Sequence, residues 1–112
     1  MSQITTHILD TTIGKPAQGV AVALCRKQQD GWEVIANGIT NHDGRIADLL
    51  GKEVLLPKGF YKIRFELEAY FERFGRTAFY PFVEIVFNVD SKDHYHIPLL
   101  LNPFGYTTYR GS

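Results

Sequence analysis

Gly59-Phe60-Tyr61-Lys62-Ile63-Arg64-Phe65-Glu66-Leu67-Glu68-Ala69-Tyr70-Phe71-Glu72-Arg73-Phe74-Gly75 contains the change of period on which the fold turns. From Phe60 to Phe65, Tyr61, Ile63 and Phe65 alternate with Lys62 and Arg64, the pattern of a strand with one face on a core and one in water. From Glu66 to Phe74 the apolar residues Leu67, Tyr70, Phe71 and Phe74 fall at i, i+3, i+4 and i+7, the stripe of a short amphipathic helix, and Gly75 is placed to end it. On either side the chain returns to period two. Upstream, Val20, Val22 and Leu24 share one face of a segment from Val20 to Arg26. Trp32, Val34 and Ala36 then alternate with Glu33, Ile35 and Asn37, after a hairpin connector at Gln28 to Gly31. Downstream, Val83, Ile85, Phe87 and Val89 form a strand entered at Pro81, followed by His94 to Leu101 and Tyr106 to Tyr109. About eight short strands and one helix, without repeats, predict an all-β antiparallel sandwich with a single helical excursion.

A chain of 112 residues with 45% hydrophobic content fills one core and is too short for two, so residues 1–112 are expected to form a single domain. Twelve basic and twelve acidic side chains cancel at a pI near 6.9, which leaves no basic field for nucleic acid or an anionic membrane and does little to keep copies apart. Neither nucleic acid nor membrane is expected as a partner, and a homo-oligomer is plausible. Cys25 is the single cysteine, in an apolar strand, and reads as a small packed residue with no role. Met1-Ser2-Gln3-Ile4 enters strand-like sequence at once, without the pattern of a signal peptide, and no apolar run approaches membrane-spanning length, so a cytoplasmic location is expected.

The chemistry-bearing residues sort by strand face. On the first strand Thr5 and His7 lie opposite Ile4, Thr6 and Ile8. On the penultimate strand His94, His96 and Pro98 lie opposite the more apolar Tyr95, Ile97, Leu99 and Leu101. His7 and His96 thus turn away from the core. Alone, such a histidine is more often solvated or structurally hydrogen-bonded than catalytic. Arg45 changes that weighting, because the Asn41-His42-Asp43-Gly44 turn, in which Asp43 can bond its own backbone, presents it immediately afterwards. Histidines that exchange protons near neutrality, an arginine for oxyanion charge and hydroxyls that orient water make a hydrolase kit for a small polar substrate. His94 and His96 could share a metal, but two histidines without a nearby carboxylate are a weak signal for one. Tyr109-Arg110-Gly111-Ser112, just downstream of His94-Tyr95-His96, carries more chemistry than a frayed tail needs and is expected to form part of a site.

Ile4-Thr5-Thr6-His7-Ile8-Leu9-Asp10, Gly14-Lys15-Pro16-Ala17, Asp43-Gly44-Arg45, Phe79-Tyr80-Pro81, His94 to Leu101 and Tyr109-Arg110-Gly111-Ser112 together resemble the transthyretin-related 5-hydroxyisourate hydrolases. The terminal Tyr-Arg-Gly-Ser is the specific part of the match. The resemblance implies a transthyretin-like sandwich of two four-stranded sheets with a short helix, and a homotetramer built as a dimer of dimers with sites at the dimer–dimer interface. It implies His7, Arg45, His96 and Ser112 as catalytic residues. His7, Arg45, Tyr109, Arg110, Gly111 and Ser112 would contact the small-molecule substrate. The implied reaction is cofactor-free hydrolysis of the cyclic amide of 5-hydroxyisourate to 2-oxo-4-hydroxy-4-carboxy-5-ureidoimidazoline in urate degradation. Either histidine could be the general base. The alternative on the same architecture is a noncatalytic small-ligand carrier, since a fold does not fix function.

Overall fold

The computed structural model describes residues 2–112. Two four-stranded sheets face each other across the core. The first has the order β2 (Lys15–Pro16), β1 (Ile4–Asp10), β7 (Tyr95–Asn102), β8 (Gly105–Thr108). The second has the order β4 (Gly31–Ile39), β3 (Ala21–Gln28), β5 (Gly59–Glu66), β6 (Phe82–Val89), with one helix, α1 (Glu68–Glu72), between β5 and β6. The sandwich expected from the change of period is therefore present, and the two-residue β2, too short to show a period, completes the first sheet. Inward side chains alternate as the pattern requires: Ile4 and Ile8 from β1, Leu24 from β3, Ile63 and Phe65 from β5, and Leu99 and Leu101 from β7 are fully buried. Each such side chain contributes about 1.5–3 kcal/mol by leaving water.

Two local expectations fail for identifiable reasons. The register between β3 and β4 shifts at Leu24/Cys25, so that Leu24 opposes Ala36 and Cys25 opposes Val34. Ile35 is the extra residue of this bulge. Ile35 and Ala36 consequently both pack towards the core, while Trp32, on the near side of the bulge, faces outward with the Lys62 Nζ 4.6 Å from its ring centre. The single Trp32-Val34-Ala36 face is thereby broken. In α1, Leu67, Tyr70 and Phe71 are buried as the stripe predicts, but the helix closes at Glu72 and Gly75 takes φ 68°, which leaves Phe74 half exposed against the edge of Tyr70.

Asp10 is a buried polar centre that its alternating pattern does not announce. Its carboxylate accepts hydrogen bonds from Arg76 Nη2 and Tyr70 Oη, both at 2.8 Å, and from the Thr12 amide at 3.0 Å. Burial alone would raise the Asp10 carboxyl, but these three donors outweigh it and hold the group below its ordinary value. Burial and the bond to Asp10 push the Tyr70 phenol up to about 12, so it remains a donor throughout the working pH range. Asp10→Ala strands a partly buried arginine and a buried phenol. We expect a loss of about 3 kcal/mol at pH 7, the lower part of the range for breaking a buried pair, because Arg76 still reaches solvent. A depressed carboxyl stabilises the fold above its unfolded-chain value of 3.8 and stops doing so as pH falls through the lower folded value. Urea unfolding should therefore give a full difference between the two proteins at pH 7 that narrows below about pH 4.

What positions the site is the pairing of β1 with β7, which is parallel although the other strand pairs are antiparallel. Its register sets Thr5 beside His96 and His7 beside Pro98. The outward residues of two strands far apart in the chain thus share one sheet face.

Candidate active site

That face carries His7 and Thr5 from β1, His96 from β7 and His94 just ahead of β7. Arg45 reaches it from a turn strapped across β1. The Asn41 side chain organises this turn, with its Oδ1 accepting from the amides of Asp43 at 2.9 Å and Arg45 at 3.1 Å. Asp43, expected to bond its own backbone, instead pairs with His42 at 3.4 Å on the surface. Gly44, at φ 72°, accepts the Ile8 amide on its carbonyl at 2.9 Å, and a β-carbon there would lie 2.4 Å from the Ile8 carbonyl oxygen. Only glycine lets the turn approach β1 this closely. The following residue, Arg45, forms a bridge with His7 as a result.

The Arg45 Nη2 lies 3.5 Å from His7 Nδ1. A guanidinium is a donor only, so His7 Nδ1 is the accepting nitrogen and Nε2 carries the hydrogen of the neutral ring. His96 is held differently: its Nδ1 lies 2.7 Å from Thr5 Oγ1, and its Nε2 has no hydrogen-bond partner among the described residues. The same hydroxyl is 2.7 Å from His94 Nε2, and the two imidazoles stack with centres 6.2 Å apart. Burial, reinforced by the Arg45 charge, holds His7 below its ordinary value, against the opposing pull of the Asp43 backbone and carboxylate. Burial, then Arg45, His94 and His7, do the same for His96, against the Thr5 backbone. Both rings are therefore neutral at pH 7, one presenting an N–H and the other a nitrogen free to engage a ligand.

These groups border a cleft of about 510 Å³ lined by Thr5, Arg45, Ile46, His94, His96 and Ser112. Of the residues singled out in the sequence, Arg45, His96 and Ser112 line this cleft, His7 stands behind Arg45, and Gly111 is held against His96. The Gly111 amide donates to the His96 carbonyl at 2.8 Å, and a β-carbon on Gly111 would come within 2.6 Å of His96 Cδ2, so the glycine permits close packing on the ring. Tyr109 and Arg110 do not join them within one chain. They line a second, more apolar cleft of about 330 Å³ with Ile85, Phe87 and Tyr95. The Arg110 guanidinium lies 4.4 Å from the centre of the Tyr95 ring. Thr5 and His94 were not assigned a role from the sequence, although face alternation placed them beside His7 and His96. Among the described residues no group of three or more His, Cys, Asp or Glu side chains is arranged to hold a metal ion.

The chain has clear relatives. The family model described as HIUase/Transthyretin family matches residues 4–111. The mouse 5-hydroxyisourate hydrolase is 44% identical over 114 residues, covering 99% of this chain and 96% of its own. Among solved structures, the 5-hydroxyisourate hydrolase of Klebsiella pneumoniae superposes with a TM-score of 0.87 at 43% identity, covering 100% of both chains. Sea bream transthyretin in complex with thyroxine superposes at 0.90 with 37% identity, covering 97% of this chain and 94% of its own. A likeness that spans nearly the whole length at these identities assigns the chain to the HIUase/Transthyretin family.

Proposed function

We propose that this protein hydrolyses the cyclic amide of 5-hydroxyisourate. The fold does not separate this activity from ligand carriage, since a hydrolase and a thyroxine-bound transthyretin superpose almost equally well. The observation that carries the choice is that Arg45 and the neutral His96 line one cleft, with the neutral His7 paired to Arg45 beside it. A hydrophobic ligand would leave those groups buried and unpaired, whereas the oxygens and N–H groups of a urate-like ring satisfy them. Full-length relatives bearing the hydrolase name support the same choice.

In the reaction, water attacks the ring carbonyl while His96 Nε2, the unengaged nitrogen, removes its proton. The oxygen develops negative charge towards Arg45 and the Nε2–H of His7. The C–N bond breaks as His96 returns the proton to the departing nitrogen. Ser112 lines the cleft and positions water or substrate. Tyr109 and Arg110 turn to the other groove, where they meet a neighbouring subunit in the assembly we propose, a homotetramer made as a dimer of dimers. The open sheet edges β6 and β8, together with exposed Phe79 and Phe104, support such association. We take residues 1–112 as a single domain acting in the cytoplasm. No helix among the described residues is long and apolar enough to cross a membrane.

The base must be neutral to act, and His96 is held below its ordinary value of 6.5. Acid therefore removes activity only as pH falls through that lower value. The acid limb of kcat/KM should sit below pH 6.5 and move upward in Arg45→Ala, which deletes one cause of the depression. A limb unmoved by that substitution would refute the assignment. Detection of the ring-opened product by ¹³C NMR, with no enrichment over the buffer reaction as the adverse result, tests the reaction itself.

A further inference from the structure

Thr5 stands between two imidazoles with one hydrogen to give. Its Oγ1 is 2.7 Å from His96 Nδ1 and 2.7 Å from His94 Nε2, and a hydroxyl that donates to one ring must accept from the other. The two rings are therefore locked into complementary tautomers. If Thr5 accepts from His96 Nδ1–H, it donates to His94 Nε2, and His96 Nε2 carries the lone pair a base needs. If the hydroxyl turns round, His96 Nε2 carries a hydrogen and the ring is a donor. The hydroxyl itself is fixed by its strand, because Thr5 pairs with His96 in the parallel β1–β7 register. The two rings differ in surroundings. His96 is partly buried, whereas His94 is exposed, where water solvates an imidazolium.

On the hydrolase reading of this cleft, we propose that Thr5 is a positioning residue that sets the tautomer of His96 and links it to His94 as the temporary holder of the proton. In the resting state His96 is Nδ1–H and Thr5 donates to His94 Nε2. As water attacks, His96 Nε2 takes the water proton, the Nδ1 proton moves to Thr5 Oγ1, and the Thr5 hydroxyl proton moves to His94 Nε2. His96 is again neutral, now with Nε2–H, and the positive charge rests on exposed His94. When the ring nitrogen departs, His96 Nε2 gives it the proton while one returns from His94 through Thr5 to Nδ1. The three residues end as they began, and the positive charge is held away from Arg45 while the oxyanion exists.

Two substitutions separate this from a packing role. Thr5→Val keeps the branched shape that suits a strand and deletes the hydroxyl; Thr5→Ser keeps the hydroxyl. The ¹⁵N–¹H correlation pattern of the His96 ring reports its tautomer without any turnover. The wild type should show the Nδ1–H form, Thr5→Val should shift towards Nε2–H, and Thr5→Ser should restore the wild-type pattern. In parallel, kcat should fall on the order of 10²-fold in Thr5→Val, with KM changed far less, and recover in Thr5→Ser. His94→Phe should lower kcat in the same direction. An unchanged His96 pattern in Thr5→Val, or a fall in kcat that serine does not rescue, would overturn the proposal. Failure of wild-type protein to open hydroxyisourate would sink the hydrolase reading instead, while the ring pattern would still decide whether Thr5 governs His96.

Discussion

His96→Ala lowers kcat for opening of 5-hydroxyisourate by about 10²–10⁴-fold, the usual contribution of a positioned acid-base group. The size of the effect follows from where the ring sits. Its Nδ1 is committed to Thr5 and its Nε2 is unengaged, so no other imidazole on this face offers a free nitrogen in the same place. His94 is tied to the same threonine by its Nε2, and His7 uses Nδ1 against Arg45. Because His96 lies on the outward face of β7, its loss leaves the buried Ile97 and Leu99 packing intact. The Gly111 contact on the ring is lost, so the tail should loosen while global unfolding changes little. Steady-state kinetics and urea unfolding on the same preparation check both halves of the expectation. A variant with wild-type kcat would remove His96 from the chemistry.

Arg45→Ala should cost about 10²–10³-fold, the loss of one oxyanion donor. In the proposed mechanism the guanidinium acts on the cleft in two ways. It would present donors to developing negative charge, and its own charge helps to hold His7 and His96 neutral. Arg45→Lys keeps the charge but loses the planar fork, so donors to His7 Nδ1 and to a substrate oxygen would have to radiate from one nitrogen on a flexible stem. The lysine variant should therefore retain the low acid limb of the pH profile while recovering only a small part of kcat. Full recovery by lysine would reduce Arg45 to a point charge.

The division between what was legible in the chain and what was not is physical. Period two placed His7 and His96 off the core, because face alternation is a local property of a strand. The change to i, i+3, i+4 placed the helix for the same reason. The parallel partnership of β1 with β7 has no local signature, and it alone turns four residues on two distant strands into one site. Thr5 and His94 were accordingly visible as residues on the right faces but not as neighbours of the same atom. Asp10 likewise reads as one more inward position of an alternating strand until Tyr70 and Arg76 arrive from the helical excursion to satisfy it. The bulge at Ile35 escaped because an inserted residue leaves the strand's composition unchanged while turning its later side chains to the other face. Tyr109 to Ser112 read as one motif, yet Tyr109 and Arg110 line one cleft of the subunit and Ser112 another, a division that depends on where the tail crosses β7 at the His96–Gly111 bridge and has no local signature.

The decay of freshly generated 5-hydroxyisourate, followed by ultraviolet absorbance with and without the protein, tests the central claim most directly. Wild-type protein should accelerate the decay in proportion to its concentration, and folded Arg45→Ala should return it close to the spontaneous rate. Folded wild-type protein that binds a urate-like ligand yet leaves the decay at the spontaneous rate would contradict the hydrolase reading and make the cleft a carrier's.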